Sequence, residues 1–238
     1  MKIIIVKNYQ TLSVKAANLV IKQIKKKRNS VLGLATGDTP IGMYRKLRRD
    51  YKSKFKNVTT FNLDEYAGLS KDDKRSYYYY MQKHFLKHIN IKKKNIFILD
   101  GLAKNFKKEC ANYEKLIAKK KKIDLQILGL GLDGHIGFNE PGSAFRSKTR
   151  VVNLTAETRQ DHAKNFKSLK QAPKQAITMG VYTIMQAKKI ILLASGKGKA
   201  DIVARALKGK INKNVPASYL QLHSSLIVIL TKQAATKL

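Results

Sequence analysis

Apolar positions along the chain follow two rhythms. Short runs of four to seven residues carry little polar interruption, as strands buried on both faces do. Longer stretches repeat their apolar positions every three to four residues, as amphipathic helices do. The first rhythm predicts strands at Lys2–Val6, Val31–Ala35, Val58–Leu63, Asn95–Leu99, Asp124–Leu130, Arg150–Leu154, Lys189–Ala194 and Leu226–Leu230. The second predicts helices at Thr11–Lys27, Ile41–Asp50, Ser76–Ile89, Asn105–Lys119, Ala156–Phe166, Lys174–Gln186 and Lys199–Lys208. Strand followed by helix, repeated, implies βαβ units. The expected fold is α/β: a three-layer αβα, Rossmann-like domain with a mostly parallel sheet, spanning 1–238 without linker or internal repeat.

Ligands of such sheets bind beyond the carboxyl ends of the strands, so the post-strand loops carry the candidate chemistry. The first is Ala35-Thr36-Gly37-Asp38-Thr39-Pro40, running into a helix. Small residues and hydroxyls at a helix N-terminus suit a phosphate, although Asp38 or Thr39 also reads as an ordinary helix cap and the Asp38 charge opposes an anion. The second is Asn62-Leu63-Asp64-Glu65-Tyr66, where two adjacent carboxylates straddle a strand end. One of them suits a general base, and a helix cap or solvated turn is the structural alternative.

The third loop is the richest, Gly129-Leu130-Gly131-Leu132-Asp133-Gly134-His135-Ile136-Gly137-Phe138-Asn139-Glu140-Pro141-Gly142. Its Gly129, Gly131 and Gly134 match a dinucleotide fingerprint, but the run continues into glycine and proline instead of opening a helix. What remains is His135 between the carboxylates of Asp133 and Glu140, an arrangement that suits a proton shuttle. One histidine with two loosely spaced acids is too few ligands for a metal site, so none is expected. The fourth loop is Ser195-Gly196-Lys197-Gly198-Lys199, in which Lys199 stands where a helix begins and could reach a phosphate as a point charge. Tyr77–Tyr80 read as a helix face with exposed rings. His84 and His88 share a helical spacing without an acidic partner, and His223 has no legible role.

Charge complicates this picture. The 238 residues hold 49 Lys and Arg against 15 Asp and Glu, a net charge of +34. That balance attracts polyanions and raises the possibility of non-specific nucleic-acid binding. The lysines are spread over every segment, whereas a dedicated binder would gather them on one face and favour arginine. Scarce carboxylates nonetheless gather in the second and third loops. No apolar run reaches membrane-spanning length, the N-terminal run reads as a strand instead of a leader, and the lone Cys110 has no disulfide partner. A cytoplasmic protein is expected.

Four segments together resemble the glucosamine-6-phosphate deaminase family: Leu34-Ala35-Thr36-Gly37-x-Thr39-Pro40, Asn62-Leu63-Asp64-Glu65-Tyr66, Gly131-x-Asp133-Gly134-His135-Ile136-Gly137-Phe138-Asn139-Glu140-Pro141 and Leu220-Gln221-Leu222-His223. The related 6-phosphogluconolactonases share the Gly-x-Asp-Gly-His core but lack the Asn-Glu-Pro that follows. The resemblance implies conversion of glucosamine 6-phosphate and water to fructose 6-phosphate and ammonia, with neither metal nor organic cofactor. It implies that His135, helped by Asp133 and Glu140, opens the sugar ring. It implies that Asp64 shifts a proton between C2 and C1 through an enolamine. Thr36, Gly37 and Thr39 would hold the phosphate, with Lys199 and Lys164 as cationic partners. The sequence departs from the family pattern at Asp38, where Gly or Ser is usual, and at Lys164, where the pattern has Arg. It also lacks the longer C-terminal extension of the hexameric, regulated members, so a monomer or small oligomer is expected. Alternatives are a related isomerase or lactonase, or a catalytically weak or engineered basic scaffold.

Overall fold

The computed structural model describes residues 1–163, 166 and 171–238. Two sheets organise it. The larger has seven strands, β1 (Lys2–Val6), β2 (Val31–Leu34), β3 (Thr59–Asn62), β5 (Ile96–Phe97), β6 (Leu125–Leu128), β9 (Ile190–Ala194) and β10 (Leu226–Thr231). Every pairing in it is parallel, in the order β1-β10-β9-β6-β2-β3-β5. The smaller has three antiparallel strands in the order β4-β8-β7: β4 (Asp64–Tyr66), β8 (Gln175–Thr178) and β7 (Arg150–Asn153).

Helices cover both faces of the large sheet, so its central strands are apolar on both sides. Alternate residues serve different layers: Ile191, Leu193 and Ile229 face α1 (Tyr9–Lys26), α2 (Ile41–Asp50) and α3 (Tyr77–His84). Ile190, Leu192 and Val228 face α4 (Phe106–Lys119), α6 (Val181–Met185) and α7 (Ala200–Lys208). A third cluster, with Tyr66, Phe138 and Leu154, packs beneath the small sheet. In α1 the stripe Leu12, Ala16, Val20 and Ile24 is buried at helical spacing, and Asn8 caps the first turn by accepting from the Thr11 N–H at 3.0 Å.

The eight expected strands all form: six are trimmed by one to three residues, β1 matches its expected bounds, β10 runs one residue further, and the αβα architecture holds. One expected helix, Lys174–Gln186, does not form as such. Gln175–Thr178 is instead the central strand of the small sheet, and only Val181–Met185 is helical. Gly180 separates them at a crossing too tight for a side chain: a Cβ there would lie 2.1 Å from the Ser147 carbonyl oxygen. Pairing on two edges overrides the local helical spacing. The small sheet's other unanticipated strand, β4, lies within the Asp64-Glu65-Tyr66 motif itself. The helix expected over Ser76–Ile89 ends at His84 and passes through a 3-10 turn at Leu86–His88. Of the helix expected at Ala156–Phe166, α5 (Ala156–Ala163) is described.

Candidate active site

The order in which successive strands are laid down reverses at the centre of the large sheet. From β2 the strands run outward to β3 and β5, whereas from β6 they run the other way to β9 and β10. The β2 and β6 loops therefore flank a topological switch point, the place where such sheets bind ligands. The β3 loop lies on one side of it and the β9 loop on the other, so all four candidate loops share one edge.

Asp64 opens β4 directly beyond β3 and is buried, at 5% exposure. Its carboxyl is pushed up to about 8, first by burial and then by the neighbouring Glu65 charge. The glycine-rich loop passes close beside it. Gly137 adopts a φ of 59°, and a Cβ on it would sit 2.9 Å from Thr178 Oγ1 and 3.5 Å from Asp64 Oδ2. Only glycine takes that turn at that distance without strain.

Glu65 does something different. Its Oε1 accepts from the N–H groups of Tyr66 (2.8 Å) and Tyr77 (2.9 Å), and its Oε2 accepts from Tyr78 N–H (2.8 Å). Tyr77 and Tyr78 begin α3, so Glu65 closes that helix start across the chain, alongside the Ser76 cap. Burial pushes its carboxyl up to about 7 despite those three bonds. Of the two adjacent carboxylates, one is a cap and the other is available for chemistry.

Asp133 and His135 meet. The Nδ1 to Oδ1 distance is 2.7 Å, a close but off-axis approach, and the same oxygen accepts from the His135 N–H at 3.0 Å. Burial acts to raise the Asp133 carboxyl, but the His135 contacts outweigh it and hold it below its ordinary value. With Nδ1 turned to Asp133, Nε2 is the nitrogen left to face a substrate. Gly131 lies flat under the ring, where a Cβ would stand 2.3 Å from its Nδ1 and Cε1.

Glu140 is buried, and among the described residues it makes no hydrogen bond or ion pair with His135. Its oxygens accept from Thr155, at 3.1 Å from N–H to Oε2 and 3.1 Å from Oγ1 to Oε1. The expected Asp133–His135–Glu140 relay is therefore a closed Asp133–His135 pair with Glu140 held separately. The intervening Asn139 is a brace that the sequence did not reveal. Its Nδ2 donates to the carbonyls of Ile136 and Met179, both at 2.8 Å, and its Oδ1 accepts from Arg150 at 2.8 Å.

The phosphate candidates lie at the next loop. Gly37 takes a φ of 89°, and α2 begins after Pro40, which supplies no side-chain cap. Thr39, Ser195 and Arg45 line a shared cavity of about 330 Å³ that joins the β2 and β9 loops. Lys199 stands where α7 starts, and its Nζ donates to the Leu130 carbonyl at 2.7 Å, tying α7 to the glycine-rich loop. Lys164 lies outside the described residues. His223 is structural: its Nε2 meets the Ala187 carbonyl at 2.8 Å and its Nδ1 accepts from Ser225 N–H at 3.1 Å. His84 and His88 do not share a helix face, since α3 ends at His84.

A buried carboxylate thus lies beside a histidine–aspartate loop, at the switch point of a parallel sheet. The family model described as glucosamine-6-phosphate isomerases/6-phosphogluconolactonase matches residues 7–228. The chain belongs to that family. Two glucosamine-6-phosphate deaminases, from Clostridium botulinum (strain Langeland / NCTC 10281 / Type F) and Thermoanaerobacter sp. (strain X514), are each 52% identical to it. The first alignment covers 100% of this chain and 99% of the relative, the second 99% and 94%. A solved monomeric glucosamine-6-phosphate deaminase is 47% identical and superposes over 100% of both chains with a TM-score of 0.97. A 6-phosphogluconolactonase from Trypanosoma brucei superposes at a TM-score of 0.81 over 100% of this chain and 98% of that one. Its identity is 21%, and the likeness is one of fold alone.

Proposed function

We propose that this chain converts glucosamine 6-phosphate and water to fructose 6-phosphate and ammonia, with Asp64, Asp133, His135 and Glu140 as its catalytic groups. Full-length identity to the named deaminases supports the activity and does not favour the lactonase, isomerase or inert-scaffold alternatives. The observation that carries the assignment of residues is Asp64, a carboxyl with a titration point near neutrality beside the His135 loop.

His135, oriented by Asp133, moves the proton of the C1 hydroxyl to the ring oxygen and so frees the open-chain aldehyde. Asp64 then removes the C2 proton, leaving an enolamine, and returns that proton to C1. The product is an imine at C2. Water adds to it, ammonia leaves, and the C2 ketone remains. Glu140, held by Thr155, supports the ring-opening half. Thr36, Gly37 and Thr39 seat the phosphate, with Lys199 and Lys164 as cationic neighbours. No metal or organic cofactor is part of this reading. It treats 1–238 as one deaminase domain acting in the cytoplasm as a monomer or small oligomer, and a hexamer in sedimentation would overturn the oligomer reading. Any attraction of nucleic acid to the +34 charge would be non-specific and lost in salt.

Ammonia release from glucosamine 6-phosphate tests the whole. The parent should be active and Asp64→Asn reduced at least about a thousandfold while still folded, in line with loss of a proton-transferring group. A parent that releases none overturns the function. An active Asp64→Asn variant overturns the role of Asp64 alone.

A further inference from the structure

We propose that Tyr9, Tyr44 and Tyr80 are positioning residues for the substrate's phosphate, holding the 35–38 loop by its carbonyl oxygens so that its N–H groups face the anion. The proposal rests on the assignment of Thr36–Thr39 as the phosphate seat. Each tyrosine comes from a different helix, and each hydroxyl ends on a different carbonyl of this short run. Tyr44, from α2, donates to Ala35 O at 2.6 Å. Tyr80, from α3, donates to Gly37 O at 2.5 Å. Tyr9, from α1, donates to Asp38 O at 3.0 Å. The Tyr9 hydroxyl also accepts from Gly42 N–H at 2.8 Å, so it joins the loop to the first turn of α2. Tyr77 approaches the remaining residue, Thr36, through its side chain.

A trans peptide is planar, with its C=O and the following N–H pointing in opposite directions. Pinning the oxygens of Gly37 and Asp38 from the helix side therefore turns the N–H groups of Asp38 and Thr39 away from the helices. Gly37, at a φ of 89°, provides the change of backbone hand that lets successive N–H groups converge into an anion-binding concavity. The N–H groups of Gly37 and Thr39 have no backbone acceptor among the described residues. Donors fixed before the ligand arrives cost nothing to reorganise when it binds.

Packing alone does not account for the pattern. Tyr44 is fully buried and stacks on Phe85, but Tyr9 remains 38% exposed and Tyr80 half-buried. A phenylalanine would fill the same space in each case, so what the tyrosines add is the hydroxyl. Burial also raises the phenols of Tyr44 and Tyr80 above their ordinary value, which keeps them protonated and donating.

The test is steady-state kinetics on Tyr9→Phe, Tyr80→Phe and their double variant, with inorganic phosphate as competing probe. KM for glucosamine 6-phosphate and the inhibition constant for phosphate should each rise roughly three- to tenfold per hydroxyl, with kcat within about twofold. Tyr79→Phe is the control from the same helix, where Tyr79 bonds Ser76 through its backbone N–H; it should match the parent. Thr39→Val tests the seat directly. If Thr39→Val raises both constants and the tyrosine variants leave them unchanged, the proposal fails and the seat stands. A lower Tm with both constants unmoved also overturns it, because the hydroxyls would then only brace the fold. If Thr39→Val changes neither constant, the seat lies elsewhere and the proposal falls with it.

Discussion

Asp64 and Glu65 are adjacent, both buried and both acidic, yet the fold gives them separate tasks. β-strand alternation sends the two side chains to opposite faces. Glu65 thereby meets the start of α3 and Asp64 meets the Gly137 turn. This division follows from long-range placement, so two adjacent acids in a sequence could not reveal it. The tyrosines were hidden for a similar reason: their work is done by hydroxyls reaching the backbone of another element, which leaves no periodic trace. By contrast, His135 with Asp133 was legible because both lie in one short loop. The raised Asp64 carboxyl has a thermodynamic consequence. Unfolded, it releases its proton near its ordinary 3.8; folded, it holds the proton to about 8. Between those values the folded state binds more protons, so stability falls as pH rises through that window. Asp64→Asn removes the penalty. At pH 9 the variant should unfold higher than the parent, by about 1 kcal/mol or more, or roughly 2–4 °C in Tm. The difference should shrink at pH 5. Calorimetry giving the parent the higher Tm at pH 9 would contradict this.

At the scale of elements, continuous apolar runs located the large sheet because its strands are covered on both faces. The small sheet was only partly legible. β7 reads as a strand, but β4 is three residues long and β8 carries helix-compatible spacing; both exist through mutual pairing. The turn between α4 and β6 offers a test of local cost. Lys121 and Lys122 take φ values of 60° and 87°, in the left-handed region that L side chains disfavour. No glycine occupies either place. Lys122→Gly should raise stability by about 0.5–1 kcal/mol, less the extra freedom glycine gives the unfolded chain. Urea denaturation showing a loss would mean that the lysine side chain contributes something the turn geometry does not reveal.

For the whole molecule, charge is the dominant property. A net +34 spread over one surface repels itself, and few acids offset it: Asp124, held by Lys27 at 2.6 Å and Lys188 at 2.9 Å, is one of the places where it is balanced. Screening should therefore stabilise the fold. Raising NaCl from roughly 20 to 500 mM, across which the Debye length falls from about 20 to about 4 Å, should raise Tm by several degrees. A flat or falling Tm would show that attractive pairs outweigh the repulsion.

The edge of the large sheet carries one more implication, for assembly in time. β1 has a single neighbour in the sheet, β10, with Lys2 opposite Ile227. A chain emerging from the ribosome makes β1 long before β10, its partner, exists. β1 must wait, with Val6 lacking the cover that the folded chain gives it, until nearly all the described chain has followed. That flank of the sheet can close only after β10, which pairs with both β9 and β1, has been made. Nascent chains stalled before Leu226 should consequently be the species that most needs a chaperone.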